Sequence, residues 1–162
     1  MTERDKVTTQ KIRRSGIFNF KDFYQFAYNW FIDEDYGLEE QKYAEEVTGD
    51  SKRVEIIWVA KKKISDYFKH EIKLYWNVVG LKNVEVEKDG KRVKMNDGSI
   101  EIKITGNLLK DYQSSWEGNP FSKFLRGVYE KFVIEGRIEA YEDKVSSTVT
   151  DFIKDMKGFL AI

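Results

Sequence analysis

His70 is the only histidine in the sequence and the first residue whose type could support catalysis. Imidazole titrates near neutral pH and can serve as a general acid or base. Asp66 precedes it by four residues, and side chains four apart on a β-strand share a face, so this carboxylate could orient the ring. The same alternation places His70 in one row with Phe68 and Ile72, which favours a core histidine that makes one hydrogen bond.

Carboxylates supply the other candidates for chemistry. Asp33, Glu34 and Asp35 form an acidic run of the type that binds hard cations such as Mg²⁺. The run lacks the ligand spacing of a calcium loop, so solvated loop acids are the preferred interpretation. Asp111 and Glu117 could be the paired carboxylates of a hydrolase, but they fall in a linker with no assigned structure.

Several classes of site are excluded by residue types that the sequence lacks. There is no cysteine, so a cysteine nucleophile, a disulfide framework and a thiolate zinc site are excluded. No glycine-rich phosphate loop and no G-x-S-x-G motif occurs, and most glycines stand in turn sequences such as Asp89-Gly90. We therefore predict no catalytic residue, no metal site and no cofactor, and a non-enzymatic protein.

Lys61, Lys62 and Lys63 follow Trp58, and basic residues beside aromatic ones can hold a nucleic-acid backbone and stack bases. The chain has no RNP-type motif, and its formal net charge is zero, from 28 basic and 28 acidic residues. A strand end protected by lysines is the favoured interpretation, and nucleic acid is not an expected partner. Zero net charge also lowers repulsion between copies and favours self-association.

The composition predicts one well-solvated globular domain. The chain has 162 residues, of which 41% are hydrophobic, 35% charged and 15% aromatic. Its first residues are charged, so we expect no secretory signal, and no run of about 18 apolar residues is present to span a membrane. Together with the absence of cysteine, this predicts a cytoplasmic protein.

The first part of the chain predicts one helix followed by strands. Residues 1–15 are polar and could form either a flexible tail or an edge strand. Asn19 is a favourable N-cap, and Phe18 and Phe23 stand at the positions of a hydrophobic staple, so a helix should run from there to about Asp33. Residues 38–106 alternate as about six antiparallel strands, with turns predicted at residues 48–51, Gly80, Asp89-Gly90 and residues 96–98, and with residues 38–47 as a charged edge.

The last part predicts a linker at residues 107–118 and then two helices. Asn119 and Pro120 are the preferred start of the first, whose apolar side includes Phe121 and Phe124, and Gly136 should separate it from the second. The predicted fold class is therefore α+β: an antiparallel meander of about six strands packed against an N-terminal helix and two C-terminal helices. Residues 16–162 should form a single domain.

The last helix carries an apolar stripe at helical spacing, opposite a face of mixed charge. The stripe could cover the apolar side of the sheet, or it could contact a protein partner or a second copy of the chain. We predict a protein-binding or self-assembly module whose face is formed by Tyr141, Val145, Val149, Phe152, Met156 and Phe159.

In the order of its elements alone, the chain resembles helix-grip lipid-binding folds. In these folds a curved sheet wraps a long helix around a hydrophobic cavity. The resemblance implies an alternative function, the carriage of an apolar small molecule in a pocket lined by Phe68, His70 and Trp76. The chain departs from that order by having two predicted C-terminal helices where such folds have one.

Overall fold

The computed structural model describes residues 3–110, 120–128 and 135–161. It has the predicted α+β class, with a five-stranded antiparallel sheet, one helix after the first strand and two C-terminal helices. The elements are β1 (Glu3–Phe18), α1 (Phe20–Asp33), β2 (Gly37–Thr48), β3 (Ser51–Lys63), β4 (Phe68–Lys88), β5 (Lys91–Lys110), α2 (Pro120–Val128) and α3 (Glu135–Leu160). None of these described helices is both long and apolar enough to cross a membrane.

The strands lie in the order β1-β5-β4-β3-β2, and every neighbouring pair is antiparallel. β1 and β2 are consecutive in the chain but form opposite edges of the sheet, so α1 must connect them across one side. Of the two alternatives for residues 1–15, the structure has the edge strand, since Glu3 to Phe18 pair along β5.

The number of strands differs from the prediction because two of the four predicted turns are wrong, whereas the turn at residues 48–51 does connect β2 and β3. Gly80 has a positive φ of 65°, but it forms a bulge between Val79 and Lys82 and the strand continues beyond it. Residues 96–98 remain within β5, where they pair with residues 16–18 of β1. The linker prediction is also wrong at residues 107–110, which complete β5. Asp89 and Gly90, both with positive φ, do form the predicted hairpin turn between β4 and β5.

One side of the sheet is the core, and both long helices cover it. Asn19 caps α1 as predicted, because its Oδ1 accepts a hydrogen bond from Asp22 N at 3.0 Å. The strands contribute alternating apolar residues to this side, and the helices contribute their apolar faces. The buried residues include Ile56, Trp58, Leu74, Trp76, Ile102 and Ile104 from the strands, Phe23, Ala27 and Phe31 from α1, and Val145, Val149, Phe152 and Met156 from α3.

The opposite side of the sheet, here called the open face, is polar and exposed along its middle. Lys11, Lys103, Tyr75 and Ile57 lie side by side there on four successive strands. Antiparallel sheets commonly have one packed and one solvated face, so this asymmetry follows from the alternating pattern of the strands.

Candidate functional site

Among the residues that the structure describes, α2 presents a row of exposed apolar side chains at helical spacing. Phe121, Phe124, Leu125 and Val128, here called the α2 stripe, stand at positions i, i+3, i+4 and i+7 and therefore share one face. Phe121 and Phe124 are 68% and 65% exposed, and Leu125 and Val128 are each 37% exposed. None of the described side chains of α2 is buried.

The polar side of α2 faces the rest of the protein. Arg126 lies on the opposite side of the helix from the α2 stripe, its side chain is largely buried, and it forms an ion pair with Glu3 of β1. Glu3 is also 3.7 Å from Lys110 Nζ, which lies 3.0 Å from Asp5 Oδ2. A surface helix normally turns its apolar stripe inward, so this orientation is the reverse of the usual one.

The residues predicted as an assembly face lie mostly in the core of the protomer. Val145, Val149, Phe152 and Met156 are fully buried, and Phe152 contacts the rings of Trp30 and Phe31 at 5.2 and 4.9 Å between centroids. The apolar stripe of α3 therefore packs against the sheet and α1, which is the first of the two interpretations given for it in the sequence analysis. Tyr141 is half-buried, with its ring against Phe68.

Phe159 is the one predicted assembly residue that remains exposed, at 40%. Its ring stacks on Phe26 of α1 at 4.8 Å and also contacts Phe23 at 5.7 Å. The exposed part of this aromatic pair is much smaller than the α2 stripe.

The three residues predicted to line a ligand pocket are buried and in contact with other side chains. Trp76 touches four aromatic rings, those of Phe20, Phe23, Tyr24 and Trp58, at centroid distances from 4.9 to 6.5 Å. Phe68 packs on Leu108, Tyr67 and Tyr141. The structure brings Phe68 and His70 together near Tyr141, whereas Trp76 lies in the aromatic cluster below α1.

His70 has the environment of a core histidine. Its side chain is buried, and its Nε2 lies 2.9 Å from the carbonyl oxygen of Tyr141, to which it can donate a hydrogen bond. Burial lowers the pKa of His70, the hydrogen bond to Tyr141 opposes that effect, and the charges of Lys62 and Lys144 add to it. Asp66 does not orient the ring, because its side chain is 89% exposed and pairs with Lys63 at 3.2 Å.

The charged runs singled out in the sequence are solvated or paired within the chain. Asp33, Glu34 and Asp35 are exposed, and no three His, Cys, Asp or Glu side chains of the described residues could together hold a metal ion. Lys62 donates to the carbonyl oxygen of Glu34 at 3.1 Å, and Lys61 lies 4.0 Å from Glu71. Asp111 and Glu117 lie outside the described residues.

Glu71 was not singled out by sequence reasoning, since the alternation of β4 places it on the polar side of the strand. Its side chain is only 2% exposed. Arg4 donates to both of its oxygens, from Nε at 2.8 Å and from Nη2 at 3.2 Å, and Asn107 Nδ2 donates at 3.1 Å. A buried carboxylate needs such partners, so this cluster fastens β1, β5 and β4 together and has a structural role.

A shallow depression of about 530 Å³ lies in the middle of the open face. Its nine lining residues include three lysines, Lys11, Lys73 and Lys103, one acid, Glu101, and the ring of Tyr75. Sequence reasoning missed this grouping because the lysines come from three different strands. Only the strand order and register bring them together.

The sequence was also compared with known proteins. No protein-family model matches the chain. No curated protein matches it significantly.

Proposed function

We propose that this protein is a non-enzymatic protein-binding module and that the α2 stripe is its binding element. The observation that carries the proposal is the orientation of α2. Its polar side is attached to β1 through Arg126 and Glu3, and two phenylalanines face solvent at more than 60% exposure. Exposed apolar side chains that form a contiguous patch mark interaction surfaces in soluble proteins.

The spacing of the stripe indicates the kind of partner. Apolar residues at i, i+3, i+4 and i+7 are the anchors of helices that lie in a hydrophobic groove on another protein. Phenylalanine gives a large apolar area with few rotatable bonds, which suits an anchor residue. The partner should therefore present an apolar groove about two helical turns long, and a groove on a second copy of this chain is the self-assembly form of the proposal.

The double variant Phe121→Asp/Phe124→Asp tests the proposal. Native mass spectrometry of the wild type should give either a multiple of the 19.2 kDa protomer or the free protomer. If an oligomer is present, the variant should dissociate it. The control with the same change of net charge is Lys154→Ala/Lys157→Ala on the exposed side of α3, which should leave the oligomer intact.

For a monomeric wild type, a photo-crosslinking phenylalanine analogue at position 124 replaces the oligomer test. In extracts of the source cells it should give an adduct of one discrete mass, which disappears when Phe121 is changed to Asp. The same analogue at position 154 is the control. If the wild type forms no oligomer and position 124 gives no Phe121-dependent adduct, the α2 stripe has no partner and the proposal is refuted.

Both outcomes require that the variants remain folded. The α2 stripe is exposed, so its substitutions should change the free energy of unfolding by no more than about 0.5 kcal/mol. Urea unfolding of each variant checks this directly.

The alternative function, carriage of an apolar small molecule, has weaker support. Phe68, His70 and Trp76 are already in contact with other side chains, and Trp76 in particular is enclosed by four rings. The same native mass spectrum tests this alternative, because a bound ligand would add a discrete mass to the protomer.

A further inference from the structure

We propose that the open face of the sheet binds single-stranded nucleic acid, with the depression around Tyr75 as its centre. This site is separate from the α2 stripe and independent of the function proposed above. Proteins that bind single strands combine a basic groove, which follows the backbone, with aromatic rings on which bases stack. The open face brings both features together.

The positive charge of the depression is incompletely neutralised. Lys11 and Arg13 share one acid, Glu101, at 3.6 and 3.1 Å. Lys73 and Lys103 are exposed, and neither has a carboxylate within ion-pair distance among the described residues. The centre of the open face therefore carries an excess of positive charge that can contact phosphates.

Zero net charge of the whole chain does not oppose this binding, because the charges are spatially separated. β1, at one edge of the sheet, has five basic and two acidic residues, whereas β2, at the other edge, has four acidic residues and one lysine, so the formal charges of the two edge strands are +3 and −3. Local potential rather than total charge controls the approach of a charged ligand. A polyanion should therefore approach the half of the open face near β1.

Tyr75 places an exposed aromatic side chain among the lysines of the depression. It pairs with Ile57 on β3, yet its hydroxyl donates to Glu55 Oε1, two residues along that strand, at 3.3 Å. This diagonal contact directs the hydroxyl towards β3, and the side chain remains 41% exposed. An exposed ring in this position offers its face to a base.

The depression also continues along the sheet. A second depression of about 360 Å³ shares Asn77 and Glu101 with the first and adds Arg13, Arg14 and Ser99. Together they extend the open-face site past Asn77, where Arg13 supplies a further basic side chain and Ser99 a hydroxyl group. An acidic protein segment could use the lysines, but it has no need of an exposed ring among them, so nucleic acid is the favoured ligand.

The test is fluorescence anisotropy with labelled oligo(dT) and oligo(U) of about 12 nucleotides, at about 50 and 200 mM salt. Three variants are compared with the wild type. Lys73→Glu/Lys103→Glu reverses two charges in the depression, Tyr75→Leu removes the ring, and Lys154→Glu/Lys157→Glu makes the same change of net charge on α3.

We expect Lys73→Glu/Lys103→Glu to weaken binding by at least about tenfold and to reduce the slope of log affinity against log salt by about 1.4. Tyr75→Leu should weaken binding by at least about fivefold with little change in that slope. The α3 control should bind like the wild type.

Three results would overturn the proposal. One is the absence of binding by the wild type at about 50 mM salt. Another is an equal loss in the two charge-reversal variants, which would indicate attraction to net charge alone. The third is unchanged oligonucleotide affinity in Tyr75→Leu. If oligoglutamate also displaces the oligonucleotide from that variant, the open face binds an acidic protein segment instead.

Discussion

Replacing Phe152 with alanine distinguishes a core residue from a docking residue. The Phe152 side chain is fully buried and lies against the rings of Trp30 and Phe31. Truncation of a buried phenylalanine removes its transfer free energy and leaves a cavity, which together cost about 3–5 kcal/mol. Since a domain of this kind is stable by only about 5–15 kcal/mol, the variant should lose a large part of its stability.

Urea unfolding followed by tryptophan fluorescence measures this loss, because Trp30 lies beside the substituted ring. The unfolding midpoint should fall while the m-value stays constant, and the melting temperature should drop by about 6–20 °C. Phe121→Ala on α2 is the matched control and should change stability by no more than about 0.5 kcal/mol. A loss below about 1 kcal/mol in Phe152→Ala would refute the assignment of the α3 stripe to the core.

Four further substitutions test three features of the fold. In Gly106→Ala, the new methyl carbon would lie 3.0 Å from Val149 Cγ2, so the fully buried Val149 side chain must move slightly, and we expect a loss of about 1–3 kcal/mol in urea unfolding. Gly127→Ala has open space around it and should instead be neutral or stabilising by up to about 1 kcal/mol, so equal effects at the two glycines would contradict the close packing of α3 on β5. Asn19→Ala should cost about 1 kcal/mol by removing the cap of α1, and no change in stability would contradict that capping role. For His70, burial lowers the folded pKa below the unfolded value of about 6.5, so the unfolded state binds more protons and stability should fall as the pH drops below about 6.5. His70→Gln should remove this part of the pH dependence, and an unchanged pH profile would contradict the buried, neutral histidine.

Local sequence signals predicted the elements that depend on neighbouring residues. The start of α1 follows from Asn19, whose side chain bonds to a backbone group only three residues away. The alternating residues of β4 correctly separated its buried side, with Leu74 and Trp76, from the exposed Tyr75. Such patterns need no knowledge of distant contacts.

The errors occurred where distant pairing overrides a local preference. Gly80 and residues 96–98 have typical turn composition, but β4 and β5 are 21 and 20 residues long and pair along most of that length. A bulge at Gly80 absorbs the irregularity, so the strand continues through it.

The candidate sites depend on long-range contacts even more strongly. The period of the α3 stripe shows that one face of the helix is apolar, but an identical period results whether the sheet or a partner covers that face. On α2 the distinction depends on Arg126 and Glu3, which are 123 residues apart in the sequence. The lysines of the open face are brought together by the register of β1, β5 and β4.

The two proposed surfaces use opposite sides of β1, which makes them separable by experiment. Glu3 points to the helix side, where it holds α2 through Arg126, whereas Lys11 points to the open face. Substitutions at Phe121 and Phe124 should therefore leave oligonucleotide affinity unchanged, and Lys73→Glu/Lys103→Glu should leave the oligomeric state unchanged. If one variant altered both properties, the two surfaces would have to be energetically coupled through β1. Arg4 is adjacent to Glu3 and binds Glu71 of β4, so Arg4 would be the first residue to substitute in a test of that coupling.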